Sequence, residues 1–171
     1  MAIIVVIVVT SSLVARGILV PDKLLLRAIA AFIVLPGTIA FLVPLLLAPS
    51  TADRQTWQWS GLVLVAVGAF LLVWCVGDFY VSGRGTLAPW SPPRKLVTAG
   101  LYRWSRNPMY VAVGVVLAGW AVWYGSPVLV GYALIVVAAF HLRVLLYEEP
   151  RLTSAFGEEW ATYKQRVRRW L

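Results

Sequence analysis

Five apolar runs divide the chain: Ala2–Ala15, Leu24–Ala48, Ser60–Val81, Met109–Tyr124 and Val128–Tyr147. Crossing the hydrocarbon core of a bilayer takes about 20 apolar residues as helix. The second, third and fifth runs are long enough outright. The first reaches that length only by running past Arg16 to Val20 with the arginine snorkelling to the surface. The fourth is short and stops at Gly125-Ser126-Pro127, a turn that predicts a tight hairpin into the fifth. No basic residue precedes the first run and no small-residue cleavage site follows it, so it reads as a retained helix and not a secretory leader. Pro36-Gly37 and Pro44 predict kinks in the second run, which membrane helices tolerate.

The polar positions between the runs are lopsided. Arg16, Lys23 and Arg27 follow the first run, and Arg54 stands alone after the second. Arg84, Arg94, Lys95, Arg103 and Arg106 follow the third, and the hairpin turn has no cation. Arg151, Lys164, Arg166, Arg168 and Arg169 lie beyond Tyr147. With five spans these segments alternate sides, and every Lys and Arg except Arg54 and Arg143 falls on one of them. The positive-inside rule puts that side, with the C-terminus, in the cytoplasm and the N-terminus outside. The expectation is an all-α polytopic protein of a bacterial-type inner or plasma membrane, in one membrane domain. Residues 1–81 form three helices and 82–171 the half that carries the chemistry.

Composition then narrows the classes. The chain is 61% hydrophobic and 13% charged, against about 25% charged in a soluble domain. Disorder is excluded and a soluble enzyme is implausible. The net charge of +8 is membrane orientation, not affinity for nucleic acid. A single cysteine, Cys75, excludes an internal disulfide and any Cys-rich metal site, and reads as a small buried hydrophobe. A single histidine, His141, excludes an HExxH zinc site, and no Asp pair is spaced like a magnesium or calcium loop. Beyond the fifth run, Leu152, Phe156, Trp160, Tyr163, Val167 and Trp170 recur at helical spacing with basic residues opposite, an amphipathic helix that Gly157 breaks in two. It lies on anionic headgroups or packs over a cytoplasmic pocket.

Three polar stretches converge on the predicted cytoplasmic side. Residues 83–93 are rich in Gly and Pro but lack the spacing and the strand–helix context of a dinucleotide-binding loop. Residues 100–110 alternate aromatic and basic side chains before the fourth run. An aromatic belt with basic anchors explains most of them, and Asn107-Pro108 reads equally as a helix N-cap. Glu148-Glu149-Pro150 closes the fifth run, which puts two adjacent carboxylates at the negative end of a helix dipole. Ionisable groups there are functional candidates by default, with Arg143 or Arg151 as counter-ion.

Together these pieces resemble the isoprenylcysteine carboxyl methyltransferase and phospholipid methyltransferase-like family of integral membrane enzymes. The matching residues are Arg94-Lys95-Leu96-Val97-Thr98-Ala99-Gly100-Leu101-Tyr102, Arg106-Asn107-Pro108-Met109-Tyr110, Glu148-Glu149-Pro150-Arg151-Leu152 and Phe156-Gly157-Glu158-Glu159-Trp160, with Tyr163 and Arg166-Val167. The resemblance covers about half the chain. It implies about five transmembrane helices, with C-terminal amphipathic helices covering a cytoplasmic pocket for S-adenosyl-L-methionine. Arg94, Lys95, Leu96, Val97, Tyr102, Arg106, Asn107, Pro108 and Tyr110 would line the cofactor. Glu148 and Glu149 match the family's glutamate pair, and Arg143 stands near the arginine that faces substrate, so these three are the catalytic candidates. Asn107 replaces the His usual in the eukaryotic enzymes, and an amide cannot titrate near neutral pH. The implied acceptor is lipophilic or lipidated, a prenylcysteine carboxylate or a phospholipid amine. Two other readings stand beside it. Membrane sterol-type reductases using NADPH share the C-terminal Gly–aromatic pattern. The second is a non-enzymatic membrane protein such as a small transporter or assembly factor; a transporter would place polar groups at mid-membrane, where only Asp78 and His141 are candidates.

Overall fold

The computed structural model describes residues 33–49, 55–83 and 96–171. The first apolar run, the stretch 84–93 and the candidates Arg94 and Lys95 lie outside the described residues. What is described is all-helical, with no strand and one isolated parallel bridge between Ser105 and Arg168. A wide π-helical segment, Ile33–Leu42, runs into the short α1, Val43–Leu47. A 3-10 turn, Thr56–Gln58, leads into α2, Trp59–Gly83. A second 3-10 turn, Gly100–Arg103, precedes α3, Pro108–Tyr124. Then come α4, Pro127–Arg143, a π-helical turn, Val144–Glu148, and α5, Glu149–Arg166.

Two helical stretches, Thr56–Asp78 and Pro127–Arg166, are long and apolar enough to cross a membrane, and Pro36–Leu47 and Pro108–Tyr124 are shorter apolar helices. The expected hairpin is present. Gly125 takes the left-handed conformation at φ 57° that ends α3, and Pro127 starts α4, where its missing N–H costs nothing.

The α3 helix is the middle of the bundle, packed on α2 on one side and α4 on the other. Its seam with α2 is built from small residues. A Cβ on Gly61 would lie 2.6 Å from the Gly119 carbonyl oxygen, and one on Gly119 would lie 2.7 Å from the Val65 backbone nitrogen. The two backbones therefore touch, the contact that small residues permit between membrane helices. Val65, Leu72, Ala112, Val113, Val116 and Leu117 fill the core beside them.

Proline explains one of two side-chain hydrogen bonds across the bundle. Pro44 has no N–H, so the Ala40 carbonyl four residues before it loses its helical donor. The Trp120 indole donates to the Ala40 carbonyl at 2.9 Å, and the Tyr132 hydroxyl to the Ile39 carbonyl at 3.0 Å. The outer faces are apolar: Val63, Phe70, Leu134 and Ile135 are between 62% and 69% exposed. Among the described residues, so broad an apolar surface marks a contact with membrane or with other protein.

One expectation is revised. Pro150 does not end the helix that carries the fifth run, which continues from Pro127 through the π-helical turn and past Pro150 to the bend at Gly157. Proline in a first turn only removes one donor, and the π-helical turn just before it accommodates the loss. Glu148 and Glu149 thus sit within a continuous helix and not at its negative end.

Candidate functional site

The site is assembled at one end of the bundle by the 96–107 segment, the middle of the long helix and the residues after α5. Asp78, near the end of α2, accepts the Leu101 backbone N–H at 3.2 Å. Gly100 lies against its carboxylate with φ 60°, so no side chain fits there. This carboxylate anchors the 3-10 turn. Behind the turn, Val97 and Tyr102 are buried with Cys75, and Leu101 and Met109 pack around them. Cys75 is fully buried, as its apolar setting suggested. Tyr102 lies with its ring in the interior, 6% exposed, and burial pushes its hydroxyl well above the ordinary tyrosine value. Leu96 is half-buried beside it.

The amphipathic helix folds over this turn. Gly157, at φ 47° and ψ −116°, bends α5 where the sequence suggested a break. Beyond the bend Trp160 and Tyr163 are buried. The Tyr163 hydroxyl donates to the Tyr102 carbonyl at 2.7 Å, and burial pushes that hydroxyl up to about 12. Arg106 lies 5.4 Å from the Trp160 ring centre, a cation–π contact.

The two adjacent glutamates go to different partners. Consecutive helical residues point about 100° apart, so they face different neighbours. Glu149 accepts hydrogen bonds from Arg169 through both oxygens, at 2.7 and 3.0 Å, and forms an ion pair with Arg106 at 3.1 Å. Burial alone would raise its pKa. Hydrogen bonds from Arg169 and the charges of Arg106, Arg169 and Lys164 outweigh that and hold its carboxyl below the ordinary 4.5. Two guanidiniums on one carboxylate leave this cluster with one net positive charge. Arg106 Nε is buried and has no hydrogen-bond partner among the described residues.

Glu148 accepts the Tyr110 hydroxyl and the Arg143 Nε, the latter at 2.9 Å, and Arg143 also reaches the Tyr110 hydroxyl at 3.2 Å. Tyr110 is pinned from α3 by stacking on Phe140 of α4, ring centres 4.3 Å apart. Arg151 turns away from both glutamates and bonds the Tyr147 hydroxyl at 2.9 Å. Of the expected residues, Arg106 and Glu149 thus come together in one cluster, and Tyr110, Arg143 and Glu148 in another. Pro108 begins α3, and Asn107 stands at its N-cap position without a capping side chain. Its amide is used elsewhere, donating to the Arg169 carbonyl at 3.0 Å. Arg169 was missed in the sequence. Its position one residue before an apolar-face tryptophan was the available signal.

A family model described as phospholipid methyltransferase matches residues 56–159. An uncharacterized protein of Haemophilus influenzae is 35% identical over 63 residues, which are 37% of this chain and 100% of that protein. Human protein-S-isoprenylcysteine O-methyltransferase is 40% identical over 85 residues, which are 45% of this chain and 27% of the human protein. No solved structure matches the chain.

Proposed function

The chain belongs to the phospholipid methyltransferase family, and from that premise we propose that it is an integral membrane enzyme transferring a methyl group from S-adenosyl-L-methionine to a lipophilic acceptor. The observation that carries the reading is the division of Glu149 and Glu148 between two differently charged clusters at one end of the bundle. One suits the donor and the other the acceptor. The apolar outer faces and the one-sided cations support a membrane setting with the N-terminus outside and this end in the cytoplasm.

The Arg106–Glu149–Arg169 cluster fits an amino-acid carboxylate. Its net charge is positive, and the orphaned Arg106 Nε is a buried donor in want of an acceptor. Arg106 would hold the cofactor carboxylate, with the Trp160 ring beside it as an apolar wall. Pro108, Leu96, Val97 and Tyr102 shape the floor from behind, and Arg94 and Lys95 are proposed to complete it. When bound, the cofactor supplies a methyl group on a sulfonium, which a nucleophile attacks in line. Glu149, ionised and held by two arginines, is a counter-ion in this scheme and not a base.

The Tyr110–Arg143–Glu148 cluster is proposed for the acceptor. Arg143 uses only its Nε on Glu148 and Tyr110. Its terminal amino groups bond no described residue and suit a carboxylate bidentately. A prenylcysteine carboxylate, ionised at neutral pH, needs orientation and no base. That reading draws on the name of the human relative. A phospholipid amine must first lose a proton, and the Glu148 oxygen turned away from Arg143 is the acceptor for it. That reading draws on the family description.

The test is methyl transfer from labelled cofactor by the purified protein into phosphatidylethanolamine vesicles and into a prenylated cysteine, with mass identification of the product. Incorporation into either is expected. Saturable NADPH binding without S-adenosylmethionine binding would overturn the proposal in favour of a reductase.

A further inference from the structure

Asn107 occupies a position where its backbone begins a helix, yet its side chain does not cap that helix. The amide reaches across to the residues after α5. Its Nδ2 donates to the Arg169 carbonyl at 3.0 Å, and the Ser105 hydroxyl reaches the same carbonyl at 3.4 Å. The Arg106 backbone N–H donates to the Arg168 carbonyl at 2.9 Å. The Asn107 backbone N–H donates to the Ser105 hydroxyl at 3.1 Å and so orients it. Three consecutive residues, Ser105 to Asn107, therefore grip two consecutive carbonyls of the strap 167–171. From the gripped residue the Arg169 guanidinium extends onto both oxygens of Glu149. Arg169 Nε and Arg106 Nη1 meet on the same oxygen, at 2.7 and 3.1 Å. Beyond it, Trp170 stacks on His141 of α4 and closes the strap down.

We propose that Asn107 and Arg169 are a coupled pair of positioning residues for the methyl-donor site. The Asn107 amide fixes the main chain at Arg169, Arg169 fixes the Glu149 carboxylate, and Glu149 sets the pose of the Arg106 guanidinium. The inference rests on the reading of the Glu149 cluster as the donor site. The strap is then a working part of that site, although it lies beyond the segment matched by the family model. An arginine side chain has many rotamers, and holding its own carbonyl removes the freedom of the chain that carries it. An amide suits the task because it donates at any pH near neutrality.

The test uses the full chain in lipid nanodiscs. The readouts are KM for S-adenosylmethionine and kcat with the best acceptor, and hydrogen–deuterium exchange over 105–107 and 167–171. Asn107→Asp keeps the shape but loses the donor and faces a carbonyl with a carboxylate. It is expected to raise KM about fivefold, the worth of one lost hydrogen bond, with kcat changed less. Arg169→Ala is expected to raise KM by about tenfold or more, since hydrogen bonds to a charged group are lost. The double variant should match the larger single effect instead of the product of the two. Asn107→His should recover most of the loss, because imidazole Nδ1 stands as many bonds from the backbone as the amide nitrogen. If Asn107→Asp folds poorly, Asn107→Ala tests the same link by removing the donor without adding a charge, while Arg169→Lys tests the link to Glu149, keeping the charge but losing the bidentate fork, and should fall between wild type and Arg169→Ala.

Exchange at the Arg106 amide and the strap should quicken in Asn107→Asp. Multiplicative KM effects, strap exchange at the wild-type rate in Asn107→Asp, or Asn107→His as impaired as Asn107→Ala would each overturn the proposal. Absence of methyl transfer to any acceptor refutes the donor-site reading, and strap exchange then still decides whether Asn107 holds Arg169.

Discussion

Glu149→Gln removes one negative charge while preserving volume, and its consequence can be worked from the contacts. Wild-type Glu149 accepts two guanidinium hydrogen bonds from Arg169 and forms an ion pair with Arg106. The amide retains one acceptor oxygen and turns an NH2 group toward a cation. Arg106 is only 10% exposed and Arg169 35%, so two guanidiniums are left facing each other with partial access to water. Breaking a fully buried pair costs about 3–5 kcal/mol, and exposed pairs are worth about 0–1 kcal/mol. The intermediate exposure here puts the loss at about 2 kcal/mol. The assay is thermal unfolding in detergent across pH, with labelled S-adenosylmethionine binding measured in parallel. Because the Glu149 pKa is depressed in the folded state, its contribution is fully present above the ordinary carboxylate value and is lost as pH falls through the lower, folded value. The gap between wild type and Glu149→Gln should therefore be constant near neutrality and close in acid. A variant as stable as wild type at pH 7, with unchanged cofactor affinity, would show that the three-residue cluster does not form.

Other substitutions probe the frame around the site. Gly61→Ala and Gly119→Ala each drive a methyl group into the facing backbone, and overpacking of this kind costs about 1–3 kcal/mol; unchanged melting points would contradict the close seam. Tyr163→Phe deprives the Tyr102 carbonyl of its donor at 2.7 Å and should lower stability by about 1 kcal/mol, read from the denaturation midpoint. Asp78→Ala releases the Leu101 N–H and should quicken exchange at that amide more than at residues of α4. Fully buried Cys75 should resist maleimide in the folded protein and react on unfolding.

What the sequence made legible was whatever periodicity and turn chemistry control locally. The third and fourth runs became helices at nearly the expected bounds, the fifth began where expected and ran on past Pro150, Gly125 and Pro127 made the hairpin, and Gly157 bent the amphipathic helix that Leu152, Phe156, Trp160 and Tyr163 mark. Family resemblance brought Arg106, Asn107, Tyr110, Arg143, Glu148 and Glu149 forward as a set, but not their partners. Which cation meets which carboxylate depends on contacts between residues far apart in the chain, and side-chain type does not encode them. Arg151, the nearest cation to the glutamate pair, bonds Tyr147, whereas Arg169, 20 residues from Glu149, takes it through both oxygens. Asn107 was legible as an N-cap residue and, by resemblance, as a cofactor contact, but its partner was not, because the carbonyl its amide serves lies 62 residues away.

The two glutamates also show why adjacency in the chain misleads. Side by side in the sequence they suggest one repelling pair of carboxylates. On a helix they diverge by about 100°, and each is neutralised by its own arginine partners before repulsion matters. The π-helical turn Val144–Glu148 ends at this divergence, and such turns often mark functional sites because they offset the register of the side chains that follow. Arg143, before the turn, and Glu148, at its end, are brought onto one side with Tyr110, while Glu149 is released to the opposite cluster. The turn is in turn favoured by Pro150, whose missing N–H removes a normal helical donor for the preceding turn. Pro150→Ala should therefore restore ordinary helical bonding through Val144–Glu148 and rotate Glu149 relative to Arg143. Weakened cofactor binding despite a higher melting point is the expected outcome. A variant that gains stability while binding S-adenosylmethionine as wild type does would show that the wide turn is not what divides the two carboxylates.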